Sequence, residues 1–262
     1  MKAKSLILLI LSLVFCMISC EKAPLSIGEI TTVTRPLSFF DKVKIYDDIN
    51  LVFVKSDTNY VQITTGKNLI DNILTETNSS DSTLTISNDN VLDWLRNYDY
   101  TLDVKLFFKD VNYVFISTSG TVTTENQFNN DTIYNPYQTD TITKPLMYTF
   151  ELDGASGDVD ITLNNCPFLY FDYQYGISNV KIRGKNNQFL QIRKRSFGDI
   201  DALDYQAERV LVVSSSTGDC YVNVKDRLVS RINNIGNIYY KGEPPYIDSR
   251  YGPIAKGKLI KL

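Results

Sequence analysis

The sequence predicts an all-β protein built as a β-solenoid with coils of about 20 residues. Three observations carry that expectation. First, a turn residue followed by Asp or Asn and an apolar residue recurs at Gly157-Asp158-Val159, Ser178-Asn179-Val180, Gly198-Asp199-Ile200, Gly218-Asp219-Cys220 and Gly236-Asn237-Ile238, with spacings of 21, 20, 20 and 18 residues. Second, each copy follows a short apolar run, such as Leu169 to Tyr173 or Val210 to Val213. Third, 17 tyrosines and 13 phenylalanines stand beside a single tryptophan and three methionines, an aromatic bias that suits strands. Stacked at ~4.8 Å, such units would place Val159, Val180, Ile200, Cys220 and Ile238 in one inward ladder. Ile161, Ile182, Ala202, Val222 and Tyr240 would form the next. The glycines would supply φ > 0 at tight corners, and the following Asp or Asn would bond its own backbone. An antiparallel β-sandwich with hairpins at the same glycines is the competing architecture.

In chain order, residues 1–19 read as a lipoprotein signal peptide. Lys2 and Lys4 precede an apolar run from Ser5 to Met17 that is short for a membrane span. Met17-Ile18-Ser19-Cys20 resembles a bacterial lipobox, which makes Cys20 the expected lipid attachment site, carrying palmitate-type acyl chains. Residues 20–30 are a tether, and 31–262 a single β domain. Short strands are expected around Lys42–Lys55, Tyr60–Thr64 and Thr83–Ile86. One brief helix is expected over Asn68–Leu74, behind an Asn cap, and another near Trp94. Residues 126–147 break the period and read as an inserted loop or hairpin arm.

The stretch from Val212 to Asp219, with Leu228 through Gly236-Asn237-Ile238-Tyr239-Tyr240-Lys241-Gly242-Glu243-Pro244, resembles the end of the auto-transporter adhesin head domain family, the head GIN domain. Arg35 to Val43, Asn68 to Ile73 and Leu84-Thr85-Ile86 are similar to that family's opening. The resemblance implies a right-handed parallel β-helix, pectin-lyase-like but without catalytic residues, in an envelope lipoprotein. It also implies adhesion as the role.

Composition narrows the chemistry. The chain has no histidine, which removes Ser-His-Asp and Cys-His catalysis and every histidine-containing metal site. Beyond Cys20, the mature chain keeps Cys166 and Cys220, with no metal-ligand spacing and no expected bridge between them. No cofactor or metal is expected. Asp158, Asp160, Asp199, Asp201 and Asp219 recur near one corner, but turn formation suffices to explain them.

Charge is unevenly spread. Residues 181–262 carry 15 basic against 8 acidic side chains, and residues 21–180 carry 10 against 22. The densest basic stretch, Lys181, Arg183, Lys185, Arg193, Lys194 and Arg195, is the candidate patch for an anionic ligand. A solvated face is the plain alternative. The reading is an adhesion or binding protein, not an enzyme, held at the outer membrane through its lipid. Its partner is an acidic glycan or another envelope protein, and not nucleic acid. Its rivals are a lyase-like polysaccharide enzyme and a purely structural envelope component.

Overall fold

Short apolar and β-branched runs separated by glycine corners give strands throughout the computed structural model, which describes residues 26–90, 101–128 and 147–262. Among the described residues, eighteen strands form one mixed sheet. The first nine are β1 (Ile30–Pro36), β2 (Lys42–Asp47), β3 (Asn50–Lys55), β4 (Tyr60–Gly66), β5 (Ile73–Asn78), β6 (Thr83–Asn88), β7 (Asp103–Phe108), β8 (Tyr113–Thr118) and β9 (Val122–Thr124). The remainder are β10 (Tyr148–Ala155), β11 (Val159–Thr162), β12 (Phe168–Gly176), β13 (Val180–Lys194), β14 (Ile200–Ser214), β15 (Cys220–Ile232), β16 (Ile238–Lys241), β17 (Tyr246–Tyr251) and β18 (Leu259–Lys261). The signal peptide, Cys20, the region of Trp94 and most of the 126–147 segment lie outside the described residues.

The all-β expectation holds, but the right-handed, all-parallel, pectin-lyase-like helix does not. β1 pairs antiparallel with β4, β4 with β7, and β5 with β6, so the sheet is mixed. The β5–β6 turn shows the reason. Only four residues separate the two strands, a connection that can join antiparallel neighbours but is too short for a parallel crossover. The helix expected over Asn68–Leu74 also fails: among the described residues, only a 3-10 turn at Ile70–Asn72 is helical. Asn68 caps nothing there, because its side-chain amide donates to the Ser26 carbonyl (3.0 Å). Ile73 onward pairs with β6 instead, Ile73 opposite Asn88 and Thr77 opposite Leu84. Ladder pairing has overridden a weak helical spacing.

From β8 onward the ladders are parallel, which also excludes hairpins at the repeat glycines. Val122, Val159, Val180, Ile200, Cys220 and Ile238 stand in successive register, all buried. Val114, Phe150, Phe171, Ile192 and Val212 form another buried ladder. Each buried side chain of this size contributes about 1.5–3 kcal/mol of transfer free energy, so the ladders hold the stack together.

Two features expected of the corners have a different physical basis. Gly198 and Gly218 do not adopt left-handed φ. They are glycines because the neighbouring unit's backbone passes too close for a side chain: a Cβ on Gly198 would sit 1.8 Å from the Ser178 carbonyl oxygen. The Asp or Asn after each corner bonds across units rather than locally. Asn179 Oδ1 accepts from the Asp199 N–H (3.5 Å), Asp199 Oδ1 from that of Asp219 (2.7 Å), and Asp219 Oδ1 from that of Asn237 (2.7 Å). Asn237 Oδ1 accepts in turn from the Lys258 N–H (2.9 Å). This side-chain ladder fixes the register of one unit on the next.

Candidate functional site

The six basic residues singled out by sequence do not form one strip. Alternation along β13 divides them. Lys181 pairs with Asp204 (3.7 Å) and Arg183 with Asp160, while Lys185 is exposed at the far end of the same turn of chain. Arg193 points outward beside Tyr170 and Asp172, whose hydrogen bond and charge raise its pKa, and Arg195 pairs with Asp172 (3.5 Å). Leu190 and Ile192 take the core side. The solvated-face reading therefore fits Lys181 and Arg183, which already have carboxylate partners.

Lys194 departs furthest from expectation. It occupies an inward slot, in register with Tyr173 and Ser214, and has no exposed surface. Its Nζ donates to the Asp219 carbonyl (3.0 Å). Burial lowers its pKa, opposed by Cys220, Asp199 and Asp219. Burial also pushes the Cys220 thiol up to about 11 and the Cys166 thiol to about 12. Both cysteines are buried free thiols.

A test of the buried ammonium follows. The native lysine releases its proton at lower pH than the unfolded chain, so the unfolded state binds more protons in the window below 10.5. Stability from this group therefore rises with pH across that window. Lys194→Met keeps most of the volume, and the Asp219 carbonyl retains its bond from the Ile200 N–H (3.1 Å). This substitution should raise stability at neutral pH and flatten the rise with pH below 10.5. Chemical denaturation across pH checks this; a clear loss of stability with an unchanged slope would contradict it.

The basic side chains that do converge come from three strands. On the outward face of the sheet, Phe168, Phe189, Arg209, Arg227 and Tyr246 form one ladder. Beside it run Gln191, Leu211, Val229 and Asp248, and beyond that Arg193, Val213, Arg231 and Arg250. Phe189, Arg209, Leu211, Arg227, Val229 and Arg231 line a shallow trough of about 260 Å³. Its floor is half-buried Leu211 and Val229, and its arginines are exposed. The Arg209 guanidinium lies 5.7 Å from the Phe189 ring centre and that of Arg227 lies 4.2 Å from the Tyr246 ring centre. Such contacts hold the guanidinium planes in place.

Among the described residues, no carboxylate lies within 4 Å of Arg209, Arg227 or Arg231. Two of the nearby acids are engaged elsewhere: Glu208 with Lys225 (2.7 Å) and Asp248 with Arg250 (3.1 Å). Charge density along the chain could not reveal this trough. Arg209 and Arg227 become visible only when outward positions are compared at the repeat spacing, since they follow Phe189 by 20 and 38 residues. No group of three or more Asp, Glu or Cys among the described residues is arranged to hold a metal ion.

A stack of strand ladders with an unpaired cationic trough on an outward face is the form of a recognition scaffold. The chain belongs to the family described as "putative auto-transporter adhesin, head GIN domain", whose profile matches residues 39–244. At that level it is an adhesin-like protein of the cell surface or envelope. Solved structures similar in fold include a "putative adhesin" from Bacteroides fragilis NCTC 9343, at 20% identity and a TM-score of 0.73, covering 89% of this chain and 97% of that one. A "putative lipid binding protein" from Parabacteroides distasonis ATCC 8503 matches at 19% identity and a TM-score of 0.61, covering 90% and 97%. A "putative adhesin" from Parabacteroides merdae ATCC 43184 matches at 15% and 0.55, with 90% and 97% covered. No curated protein matches the chain.

Proposed function

We propose that this chain is a non-catalytic envelope adhesin, anchored through a lipid on Cys20, that holds an acidic partner on its outward arginine face. The observation that carries this reading is the trough. Three exposed guanidiniums stand without carboxylates over an apolar floor, so their charge is available to a ligand. A lyase would need carboxylates grouped with a basic residue in one groove, and among the described residues no carboxylate lines this trough. The lipobox-like Met17-Ile18-Ser19-Cys20 supports the anchor, and family membership supports the adhesive role.

One experiment tests both halves. Cells producing the wild-type chain should retain it in the membrane fraction and capture acidic glycans. Cys20→Ala should either release the protein from the membrane fraction or leave it unprocessed, with capture by cells lost in both cases, while the purified variant still binds in solution. Turnover of the glycan would overturn the non-catalytic reading. Normal processing and membrane retention of the Cys20→Ala chain would overturn the anchor.

A further inference from the structure

Resting on that reading, we infer that the trough takes a linear acidic glycan, one bearing carboxylate or sulfate groups, laid along the stacking direction across β13, β14 and β15. Its anionic groups would meet the arginines on either side, and its ring faces the floor between them.

Spacing favours an extended ligand over a small anion. Arg209 and Arg227 are register neighbours on adjacent strands, ~4.8 Å apart at the backbone. Arg231 lies four residues further along β15, about 13 Å away at the usual strand rise. A small anion could engage one side of the trough but not both. The trough is open to solvent rather than enclosed, and its lining residues come from adjacent strands β13, β14 and β15, which suits a chain with repeated weak contacts rather than an enclosed molecule. The spacing of adjacent strands is on the scale of one sugar ring, so a glycan could offer a charge to each.

Floor chemistry favours a glycan over other polyanions. Leu211 and Val229 are apolar and half-buried between the exposed arginines, a surface for the apolar faces of sugar rings. Nucleic acid would need free aromatic faces for its bases. Here the Phe189 ring is already covered by Phe168 (4.7 Å between ring centres) and Arg209, and the Tyr246 ring is taken by Arg227. A lipid surface would need protruding apolar side chains, whereas Leu211 and Val229 are half-buried and flanked by exposed arginines. Asp248 at one end of the floor and Asp172 at the edge beside Arg193 bracket the strip and would set where a polyanion can lie.

Binding of the purified protein to polygalacturonate, dextran sulfate, neutral dextran, single-stranded DNA and anionic phospholipid vesicles tests this. A size series of galacturonate oligomers, from the monomer upward, accompanies it. The acidic polymers should bind, neutral dextran should not, and affinity should climb with oligomer length until the trough is spanned. Binding should weaken steeply between 0.05 and 0.2 M salt, because added ions shorten the reach of exposed charges. The triple variant Arg209→Gln, Arg227→Gln, Arg231→Gln should bind at least about tenfold more weakly, a loss of about 1.4 kcal/mol. Its thermal midpoint should match wild type, which separates lost contact from lost fold. Should the triple variant prove unstable, the single change Arg231→Gln, which leaves both arginine–aromatic pairs in place, gives the same reading with a smaller loss.

Each other result has a definite meaning. Galacturonate monomer bound as tightly as the polymer would overturn the extended glycan and leave the anionic face standing. Binding to vesicles or DNA but to neither acidic polymer would overturn it in the same way. Undiminished binding by a folded triple variant would overturn both the glycan and the trough as the adhesive face.

Discussion

Replacing Gly198 by alanine should cost the protein at least about 4 kcal/mol, well beyond an ordinary glycine substitution. The new Cβ would lie 1.8 Å from the Ser178 carbonyl oxygen, 2.6 Å from its carbon and 2.9 Å from the Ile177 oxygen. All three are backbone atoms, so no side-chain rotation relieves the contact. Two units must move apart. That movement would stretch the Phe197 N–H bond to the Gly176 carbonyl (3.2 Å) and the Asp199 N–H bond to Asn179 beside it. Gly154→Ala is the control. Its φ of 81° is left-handed, but the nearest atom to a Cβ is the Ser117 hydroxyl at 3.3 Å, so about 1–2 kcal/mol of backbone strain is expected. Urea denaturation measures both. A Gly198→Ala protein within about 1 kcal/mol of wild type, the typical cost of a single substitution, would show that the corners stack less tightly than the structure places them.

What could be read from sequence divides along a physical line. Periodicity reports which residues face inward, and the ladder from Val159 to Ile238 is where the repeat put it. Periodicity does not report strand direction. The β5–β6 hairpin arises from a four-residue connection, a local fact that a 20-residue repeat cannot contain. Nor does composition reveal what a corner residue touches. Gly198 and Asp199 were recognisable as special, yet their reasons lie in the neighbouring unit, 20 residues away in sequence. The same holds for function. Lys194 belongs to the densest basic run and is buried. Arg209, Arg227 and Arg231 are scattered in the chain and converge only through register. A run of charge is a property of the chain, whereas a charged face is a property of the ladder pairing.

Phe128→Ala should destabilise the fold by about 3–5 kcal/mol, the range for an aromatic removed from a packed core. By sequence this residue falls at the start of the segment that interrupts the repeat, where an idle loop would tolerate any side chain. In the structure it is 1% exposed. Its ring centre lies 5.1 Å from that of Phe53, 4.9 Å from Phe108, 6.2 Å from Tyr148 and 5.1 Å from Phe150. Those partners come from β3, β7 and β10, so the ring joins the N-terminal strands to the first parallel units. Three of the four contacts are near edge-to-face, the arrangement that adds about 0.5–1.5 kcal/mol beyond area burial. The backbone at this position is held separately, by the Phe128 N–H to the Thr162 carbonyl (2.7 Å), and survives truncation of the side chain. The loss therefore measures the ring alone. Phe128→Leu, which keeps much of the volume, should cost less than about 1.5 kcal/mol. If alanine and leucine variants unfold together at the wild-type midpoint, the junction between the two halves is held by the ladders, and the aromatic cluster contributes nothing to it.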